Sequence, residues 1–287
     1  MIWDCSASLR KESTWYALCL TMKLIEQNTS WTPGLVDEII DLYRVITTRG
    51  AAERSTHLER IVNFSAYARE GWITEKAAAL RCGSKVLDVG AGECPYRDRF
   101  SHCEYKTQDF AQYRGSSTSS EVERWNYGQI DYVCDSNKIP VSDGYFDVVL
   151  CTEVLEHVPK PIDTLKELSR ILVRGGRLFL TAPLGSGLHQ QPFHFYGGYT
   201  PHFYETFLVN CGLEIIEMRP IGGLLKHVGQ EAYRAGRMIA AKAPHKLSLL
   251  TRLILLYWLP RRLARLEEEV SVEEFTVGYL VEAKKIR

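Results

Sequence analysis

The sequence lacks a Cys-x-x-Cys pair, although eight cysteines are scattered along its 287 residues. This absence argues against a structural zinc site and a compact disulfide framework, because both need closely or regularly spaced cysteines. Scattered cysteines beside apolar residues are instead typical of thiols in a reducing compartment. Charged residues interrupt the first apolar stretch too early for a secretory signal. We therefore expect an intracellular, cytoplasmic protein.

The chain also lacks an excess of charge of either sign, since Lys+Arg and Asp+Glu both count 35. This balance does not indicate a uniformly basic surface for nucleic acid. The sequence has no internal repeat and no apolar run of the roughly 20 residues that span a bilayer. With 45% hydrophobic and 24% charged residues, the composition excludes a disordered chain and is typical of a globular protein.

Apolar residues recur at helical spacing in the first 80 residues, between Leu35 and Ile46 and again between Leu58 and Leu80. An apolar stripe of this kind predicts helices that pack against a core. We expect a helical N-terminal extension over residues 1–64. It either covers a ligand cleft or supplies a partner surface.

From Lys85 onward, short apolar runs alternate with helix-sized segments. The runs are KVLDVG, EYKTQDF, DYVCD, FDVVLC, GRLFLTAP, LEIIEM and, near the C-terminus, FTVGYLVEAKK. Nearly continuous apolar strands separated by helices predict a parallel sheet covered on both faces. The clearest helix is expected from Pro161 to Arg174, ended by Gly175-Gly176. The sequence therefore predicts an α/β fold with a doubly wound sheet.

The stretch VLDVGAGE, residues 86–93, joins an apolar strand directly to a glycine-rich turn. Gly90 and Gly92 let the backbone turn tightly and let a ligand approach the main chain. Such a turn alone also serves dinucleotides and phosphates. A phosphate would favour nearby Lys or Arg, whereas Asp88 and Glu93 flank this turn and suit a cationic ligand.

Two more acidic residues follow the next two strands in order. Asp109 ends the second strand, where a carboxylate accepts hydrogen bonds from both hydroxyls of a ribose, and Asp135 follows the third, where it accepts from an adenine amine. Tyr113 and Ile139 are placed to hold the purine between them. Taken singly, each acidic residue is as well explained as an ordinary strand-end or helix-capping residue as by ligand binding. In this order after Asp88, they favour a nucleoside site.

These motifs resemble the class I S-adenosylmethionine-dependent methyltransferase family over roughly residues 65–220 and the final strand. VLDVGAGE is similar to its first motif, YVCDSNKIP to its adenine motif, and DGYFDVVLCTEVLEHVPKP to its fourth strand. The resemblance implies a Rossmann-like, seven-stranded, mostly parallel sheet. Its core spans residues 65–220, a helical insertion spans 221–272, and the last strand lies in 273–287.

The resemblance also implies that S-adenosylmethionine is bound by residues that follow the first four strands. These residues are Asp88, Gly90, Ala91, Gly92, Glu93, Asp109, Phe110, Asp135, Ser136, Thr152 and Glu153. The family's third glycine is replaced by Cys94-Pro95, and we expect the next helix to begin near Pro95, because proline suits a first turn. Arg174 replaces the proline of the family's Pro-Gly-Gly, and neither change removes an implied contact.

Within TEVLEHV, Glu153, Glu156 and His157 are spaced i, i+3 and i+4, which one helical turn presents to a common point. We expect catalytic roles for His157 and Glu153. The three residues are also a candidate divalent-cation site, similar in spacing to ubiquinone-pathway O-methyltransferases and to small-RNA 2′-O-methyltransferases, which add a later histidine such as His189 or His194. We favour a site without metal, in which His157 lines the pocket or acts as a base.

Histidines and aromatic residues crowd residues 189–207, HQQPFHFYGGYTPHFYETF. After the fifth strand, this composition suits a wall around a planar or sugar-like acceptor, with His189, Tyr196 and Tyr199 as substrate contacts and His194 as a further catalytic candidate. The alternative is the packed start of a helix with Thr200 as N-cap. Both interpretations are compatible.

The predicted insertion contains a wholly apolar run, Leu253 to Leu259, with arginines on both sides. The run is too short to cross a bilayer. A helix of this kind lies in a membrane interface, with aromatics and arginines at headgroup depth, or is buried as a lid or a dimer contact. We favour the buried helix, and peripheral membrane contact through residues 247–266 is the alternative.

The expected function is transfer of a methyl group from S-adenosylmethionine to an oxygen atom of a small molecule, such as a phenol, a sugar or a lipid-linked headgroup. Methylation of nitrogen or carbon, 2′-O-methylation of RNA, and an inactive cofactor-binding scaffold are the alternatives. The sequence does not identify the acceptor, because many acceptors share this fold. It does not give the oligomeric state either.

Overall fold

The computed structural model describes Leu42 and residues 56–115, 126–270 and 272–287. Two compact units are formed, one from residues 1–60 and 233–259, the other from residues 61–232 and 260–287. The predicted helix between residues 35 and 46, apart from Leu42, lies outside the described residues.

The sheet lies in the larger unit, and its strand order is β3-β2-β1-β4-β5-β7-β6. The strands are β1 Lys85–Val89, β2 Glu104–Asp109, β3 Tyr132–Val133, β4 Phe146–Thr152, β5 Leu172–Pro183, β6 Leu213–Pro220 and β7 Gly278–Lys285. Strands β1 to β5 pair in parallel, and β7 is antiparallel to both β5 and β6. The prediction of a doubly wound, seven-stranded, mostly parallel sheet is confirmed. Its chain order reverses between β1 and β4, where a ligand crevice is expected.

Helices cover both faces of this sheet. The α-helices of the described residues are α1 Thr56–Val62, α2 Phe64–Ala78, α3 Pro161–Ile171, α4 Pro201–Asn210, α5 Leu224–Lys242, α6 Leu249–Leu253 and α7 Leu259–Glu269. On one face, α2 packs Trp72 and Ile73 against Leu150 of β4. On the other, α3 packs Leu165 against Val149. Adjacent strand residues serve opposite faces because side chains alternate along a strand.

Two predicted helix boundaries are wrong. The helix that begins at Pro161 ends at Ile171 rather than Arg174, because Leu172 already pairs with Phe146 of β4. No α-helix begins near Pro95, where the structure has only a short 3-10 turn, Arg97–Phe100. Since β2 begins at Glu104, too little chain remains there for an α-helix and its connections.

The described part of the smaller unit is helical. The end of α5 is followed by a 3-10 turn, Pro244–Lys246, by α6, and by a π-helical segment, Ile254–Trp258. A Cβ atom on Gly236 would lie 2.6 Å from the side chain of Leu256, so glycine is needed for this close packing. No helix in the part of the chain that the structure describes is long and apolar enough to cross a membrane.

Candidate active site

The turn after β1 is held against β2 by backbone hydrogen bonds. The N–H groups of Gly90 and Ala91 donate to the carbonyl oxygen of Gln108, at 2.8 and 3.0 Å. Gly90 has a φ of 69°. A Cβ atom there would lie 2.3 Å from Val154, so the residues after β4 close directly over the turn. The glycine is therefore required by both its dihedral angle and its neighbour.

Asp109, at the end of β2, fixes the same turn from the other side. Its Oδ2 accepts a hydrogen bond from the Gly92 N–H at 3.0 Å, and its Oδ1 accepts one from the Ala111 N–H at 2.8 Å. Burial raises the pKa of Asp109, while these N–H donors act in the opposite direction. Each carboxylate oxygen retains acceptor capacity for a ligand.

Asp88 lies at the centre of the sheet edge and is only 1% exposed. The hydroxyl of Tyr105 donates a hydrogen bond to its Oδ2. Burial raises the pKa of Asp88 to about 7, although the bond from Tyr105 acts to lower it. A cation brought to this carboxyl group would favour its ionised form.

A cavity of about 460 Å³ opens beside these residues, within the range of small-molecule sites. The structure brings together in its wall all eleven residues for which cofactor contacts were predicted: Asp88, Gly90, Ala91, Gly92, Glu93, Asp109, Phe110, Asp135, Ser136, Thr152 and Glu153. Tyr113 also lines the cavity, but Ile139, its predicted partner around the purine, does not. Ile139 is 2% exposed and packs in the core beneath.

Arg69 of α2 lines the cavity and had not been predicted. Its Nε donates to the hydroxyl of Tyr96 at 3.2 Å, and its Nη1 lies 3.5 Å from Glu153 Oε1. The only signal in the sequence was a charged residue within an apolar helical stripe. That signal is weak, because surface helices carry many such residues.

Glu153, Glu156 and His157 do not share one helical turn, so this prediction is wrong. Glu153 directly follows β4 with a φ of 55°, and its Oε1 accepts a hydrogen bond from the Thr181 hydroxyl at 2.8 Å. Only Leu155–His157 forms a turn, of the 3-10 type. Glu156 is 1% exposed, and burial raises its pKa to about 8, helped by the charge of Glu153.

His157 lies in the cavity wall and is held by the loop after β5. Its Nδ1 donates to the carbonyl oxygen of Phe193 at 2.8 Å, which leaves the lone pair on Nε2. Burial lowers the pKa of His157 to about 4, and the nearby His189 and His194 act in the same direction. The imidazole is therefore neutral near pH 7 with a free lone pair on Nε2, and the lowered pKa also makes it a weaker base than an exposed histidine.

Three donor atoms of this region, from Glu156, His157 and His189, lie within 4.8 Å of one another and could hold a metal ion. His189 also directs its Nδ1 at a backbone carbonyl, that of Gly187, at 2.9 Å. Of the three predicted metal ligands, Glu156 and His157 belong to this group and Glu153 does not; the third member is His189.

The other residues predicted for the acceptor side lie outside the cavity wall. The Tyr199 hydroxyl donates to the Leu155 carbonyl at 2.6 Å, and the Tyr196 hydroxyl donates to the Pro159 carbonyl at 3.1 Å. His194 Nε2 lies 3.1 Å from the Ser186 hydroxyl. These side chains, like His189, are absent from the wall. The same segment instead places other residues there, namely Gln190, Phe193 and Phe195.

The segment also bonds to the turn after β4 through its backbone. The N–H groups of Phe195 and Tyr196 both donate to the carbonyl oxygen of Glu156, at 2.9 and 3.2 Å. Phe193 meets Phe110 edge to face, with the ring centroids 4.8 Å apart. The expected helix after this segment is confirmed, since α4 begins at Pro201 with Thr200 as its N-cap.

Comparison with known proteins agrees with this architecture. Residues 87–180 match the family model described as a methyltransferase domain. The ubiquinone biosynthesis O-methyltransferase of Acinetobacter baumannii is 30% identical over 121 residues, and the match covers 39% of this chain and 49% of that protein. The protein of the same name from Pseudomonas aeruginosa is 28% identical over 116 residues, with the same coverage. The chain thus spans about half the length of the curated relatives it matches.

Among solved structures, a candidate sarcosine dimethylglycine methyltransferase from Galdieria sulphuraria superimposes with a TM-score of 0.51 and 13% identity, covering 88% of this chain and 98% of that chain. At this identity the likeness is one of fold. The sheet order and the carboxylate-lined cavity at the strand ends define a Rossmann-like fold of the class I type. Residues 87–180 are thus similar in sequence to methyltransferase domains, and the chain has the fold of class I S-adenosylmethionine-dependent methyltransferases.

Proposed function

We propose that the protein transfers the methyl group of S-adenosylmethionine to an oxygen atom of a small-molecule acceptor. The observation that carries this proposal is the single cavity that joins the predicted cofactor residues to His157. Support for an oxygen acceptor comes from the relatives in Acinetobacter and Pseudomonas, which are named O-methyltransferases.

The polar groups of the cavity fit the cofactor. Asp109 retains an acceptor site on each oxygen for the two ribose hydroxyls, and Gly90 leaves the backbone open to close approach. Asp88 supplies a buried negative charge near the cationic groups, and Arg69 supplies the positive charge that a carboxylate needs. When bound, the cofactor supplies an electrophilic methyl group on a sulfonium centre.

On the acceptor side, Phe193 and Phe195 offer apolar ring surface, and His157 offers a proton acceptor. An acceptor hydroxyl must lose its proton as the new carbon–oxygen bond forms. The bond from His157 Nδ1 to Phe193 leaves the Nε2 lone pair for that proton. Because two reactants lie in one cavity, most of the rate gain comes from alignment.

Replacing His157 with alanine is expected to lower turnover by roughly 10²- to 10⁴-fold, the usual contribution of a general base. Affinity for S-adenosylhomocysteine should change little, because the predicted cofactor contacts lie elsewhere. The rate of S-adenosylhomocysteine formation and calorimetric binding measure the two quantities. Full turnover in the variant would exclude His157 as the base.

The reaction itself is tested by incubating the protein with trideuteromethyl-labelled S-adenosylmethionine and a panel of phenols, sugars, lipid-linked headgroups, amines and RNA. Mass spectrometry then identifies products that carry the label. We expect labelling on oxygen. Label on nitrogen, carbon or RNA would select the corresponding alternative, and cofactor binding without any labelled product would identify a scaffold.

The alternative is a metal-dependent reaction, with a divalent cation bound by Glu156, His157 and His189. The convergence of their three donor atoms favours it. One carboxylate and two imidazoles suit Zn²⁺, Fe²⁺ or Ni²⁺ better than Mg²⁺, but His189 is exposed and its Nδ1 is already directed at the Gly187 carbonyl. We therefore expect turnover to be unchanged after treatment with EDTA. Loss of turnover that a divalent ion restores would instead place a metal at these residues.

A further inference from the structure

The helical region before β7 has an unusual charge distribution. Between Glu231 and Glu267 the sequence contains eight Lys or Arg residues and not one acidic residue. Since the whole chain carries equal numbers of acidic and basic residues, this stretch concentrates positive charge while the remainder is net acidic. A positive segment of this length attracts anionic surfaces.

Six large apolar side chains are exposed within the same segment, and four of them lie close together between Leu249 and Trp258. Leu249, Leu250, Ile254 and Trp258 are 51%, 68%, 40% and 56% exposed. We call these four residues the apolar stripe. Single exposed apolar residues are common, but consecutive ones on one short helical stretch mark an interaction surface.

The stripe occupies one side of its helix. Leu250, Ile254 and Trp258 follow one another at intervals of four residues, which places them on one face. On another side, Leu256 is 7% exposed and packs near Gly236 of α5. The stretch from α6 to Trp258 therefore has one apolar side chain packed against α5, Leu256, and a separate apolar face that is exposed to solvent.

Basic residues lie directly before the stripe. Lys242 ends α5, and His245 and Lys246 belong to the following 3-10 turn; all three are exposed. Lys246 precedes Leu250 by four residues. Lysine beside exposed leucine and tryptophan is the composition of helices that lie in a membrane interface, with the cations at the level of the lipid phosphates.

We propose that the apolar stripe, with Lys242, His245 and Lys246, docks the protein on a membrane surface that contains anionic lipids. Such a helix lies in the plane of the interface and does not cross the bilayer, in agreement with the absence of a membrane-crossing helix among the described residues. A second copy of this chain is a poorer occupant, because pairing the same surfaces would bring like charges together.

The test is flotation of the full chain with vesicles of phosphatidylcholine alone or of phosphatidylcholine with phosphatidylglycerol. We expect flotation with the anionic vesicles only, reduced at high salt. The triple variant L250Q/I254Q/W258Q and the double variant K242E/K246E should each lower vesicle affinity by roughly tenfold or more.

Matched controls make the same chemical changes elsewhere. V209Q/I216Q replaces two apolar residues of similar exposure, and R81E/K166E reverses two exposed cations. Both controls should bind vesicles like the unmodified protein. Retained binding of S-adenosylhomocysteine by every variant shows that the fold is intact.

Three outcomes would overturn the proposal. In the first, the unmodified protein does not float with anionic vesicles. In the second, it floats equally well with vesicles of phosphatidylcholine alone. In the third, the control variants lose as much vesicle affinity as the stripe variants. Light scattering adds a fourth. If the unmodified protein were a dimer that does not bind vesicles, and the triple variant were a monomer, the stripe would be a contact with a second copy.

Discussion

Replacing Asp109 with alanine is expected to weaken S-adenosylhomocysteine binding by roughly tenfold to a hundredfold, corresponding to about 1.5–3 kcal/mol. The reason is that Asp109 lines the cavity, each of its oxygens retains acceptor capacity for a ribose hydroxyl, and the ionised group strengthens each such bond. Isothermal titration calorimetry measures the affinity directly. An unchanged dissociation constant would remove Asp109 from the cofactor site.

The same substitution also affects folding, since it leaves the N–H groups of Gly92 and Ala111 without their acceptor. Asp131 provides a matched control. It lies directly before β3 and also accepts a hydrogen bond from a backbone N–H, that of Thr107 at 3.0 Å, but it does not line the cavity. Asp131→Ala should lower the free energy of unfolding by about 1–3 kcal/mol without changing cofactor affinity.

Replacing Gly90 with alanine is expected to lower the free energy of unfolding by about 2–5 kcal/mol. A left-handed φ costs a residue with a Cβ roughly 1–2 kcal/mol, and forcing an extra atom into a packed site costs about 1–3 kcal/mol more. Here the new Cβ would lie 2.3 Å from Val154 Cγ2. Urea denaturation measures the change as a lower midpoint at constant slope.

Two further variants separate the causes of this loss. Gly185→Ala introduces a Cβ where nothing lies within 4 Å, so its stability should be unchanged. Adding Val154→Ala to Gly90→Ala should restore the part that comes from the steric contact but not the part that comes from φ. If Gly90→Ala were as stable as the unmodified protein, the close packing of Val154 over the turn would be wrong.

Much of the cofactor side could be predicted from the sequence, because it follows from local rules. Asp109 and Thr152 end their parallel strands, Asp88 is the penultimate residue of its strand, and such strand ends meet at one edge of a sheet. Once the strands were recognised, these residues had to lie close together. The cavity wall contains the eleven residues that follow or end these strands for this reason, whereas Ile139, also predicted to contact the purine, lies in the core.

The acceptor side could not be predicted in the same detail, because it depends on tertiary packing. Arg69 reaches the cavity only through the path of α2 across the sheet, which no spacing in the sequence encodes. The sequence indicated an aromatic segment after β5. Because its backbone is neither helix nor strand, no regular spacing predicts which of its side chains face the cavity. Phe193 and Phe195 therefore line the cavity, while Tyr196 and Tyr199 bond to backbone carbonyls outside it.

The double hydrogen bond at the Glu156 carbonyl has a practical consequence for altering the acceptor. Because Phe195 and Tyr196 are both anchored there, an insertion or deletion in the aromatic loop would also displace the support beneath His157. Replacing the side chains of Phe193 and Phe195 with others leaves these backbone hydrogen bonds in place. Engineering of new selectivity should therefore vary these two side chains and preserve the length of the loop.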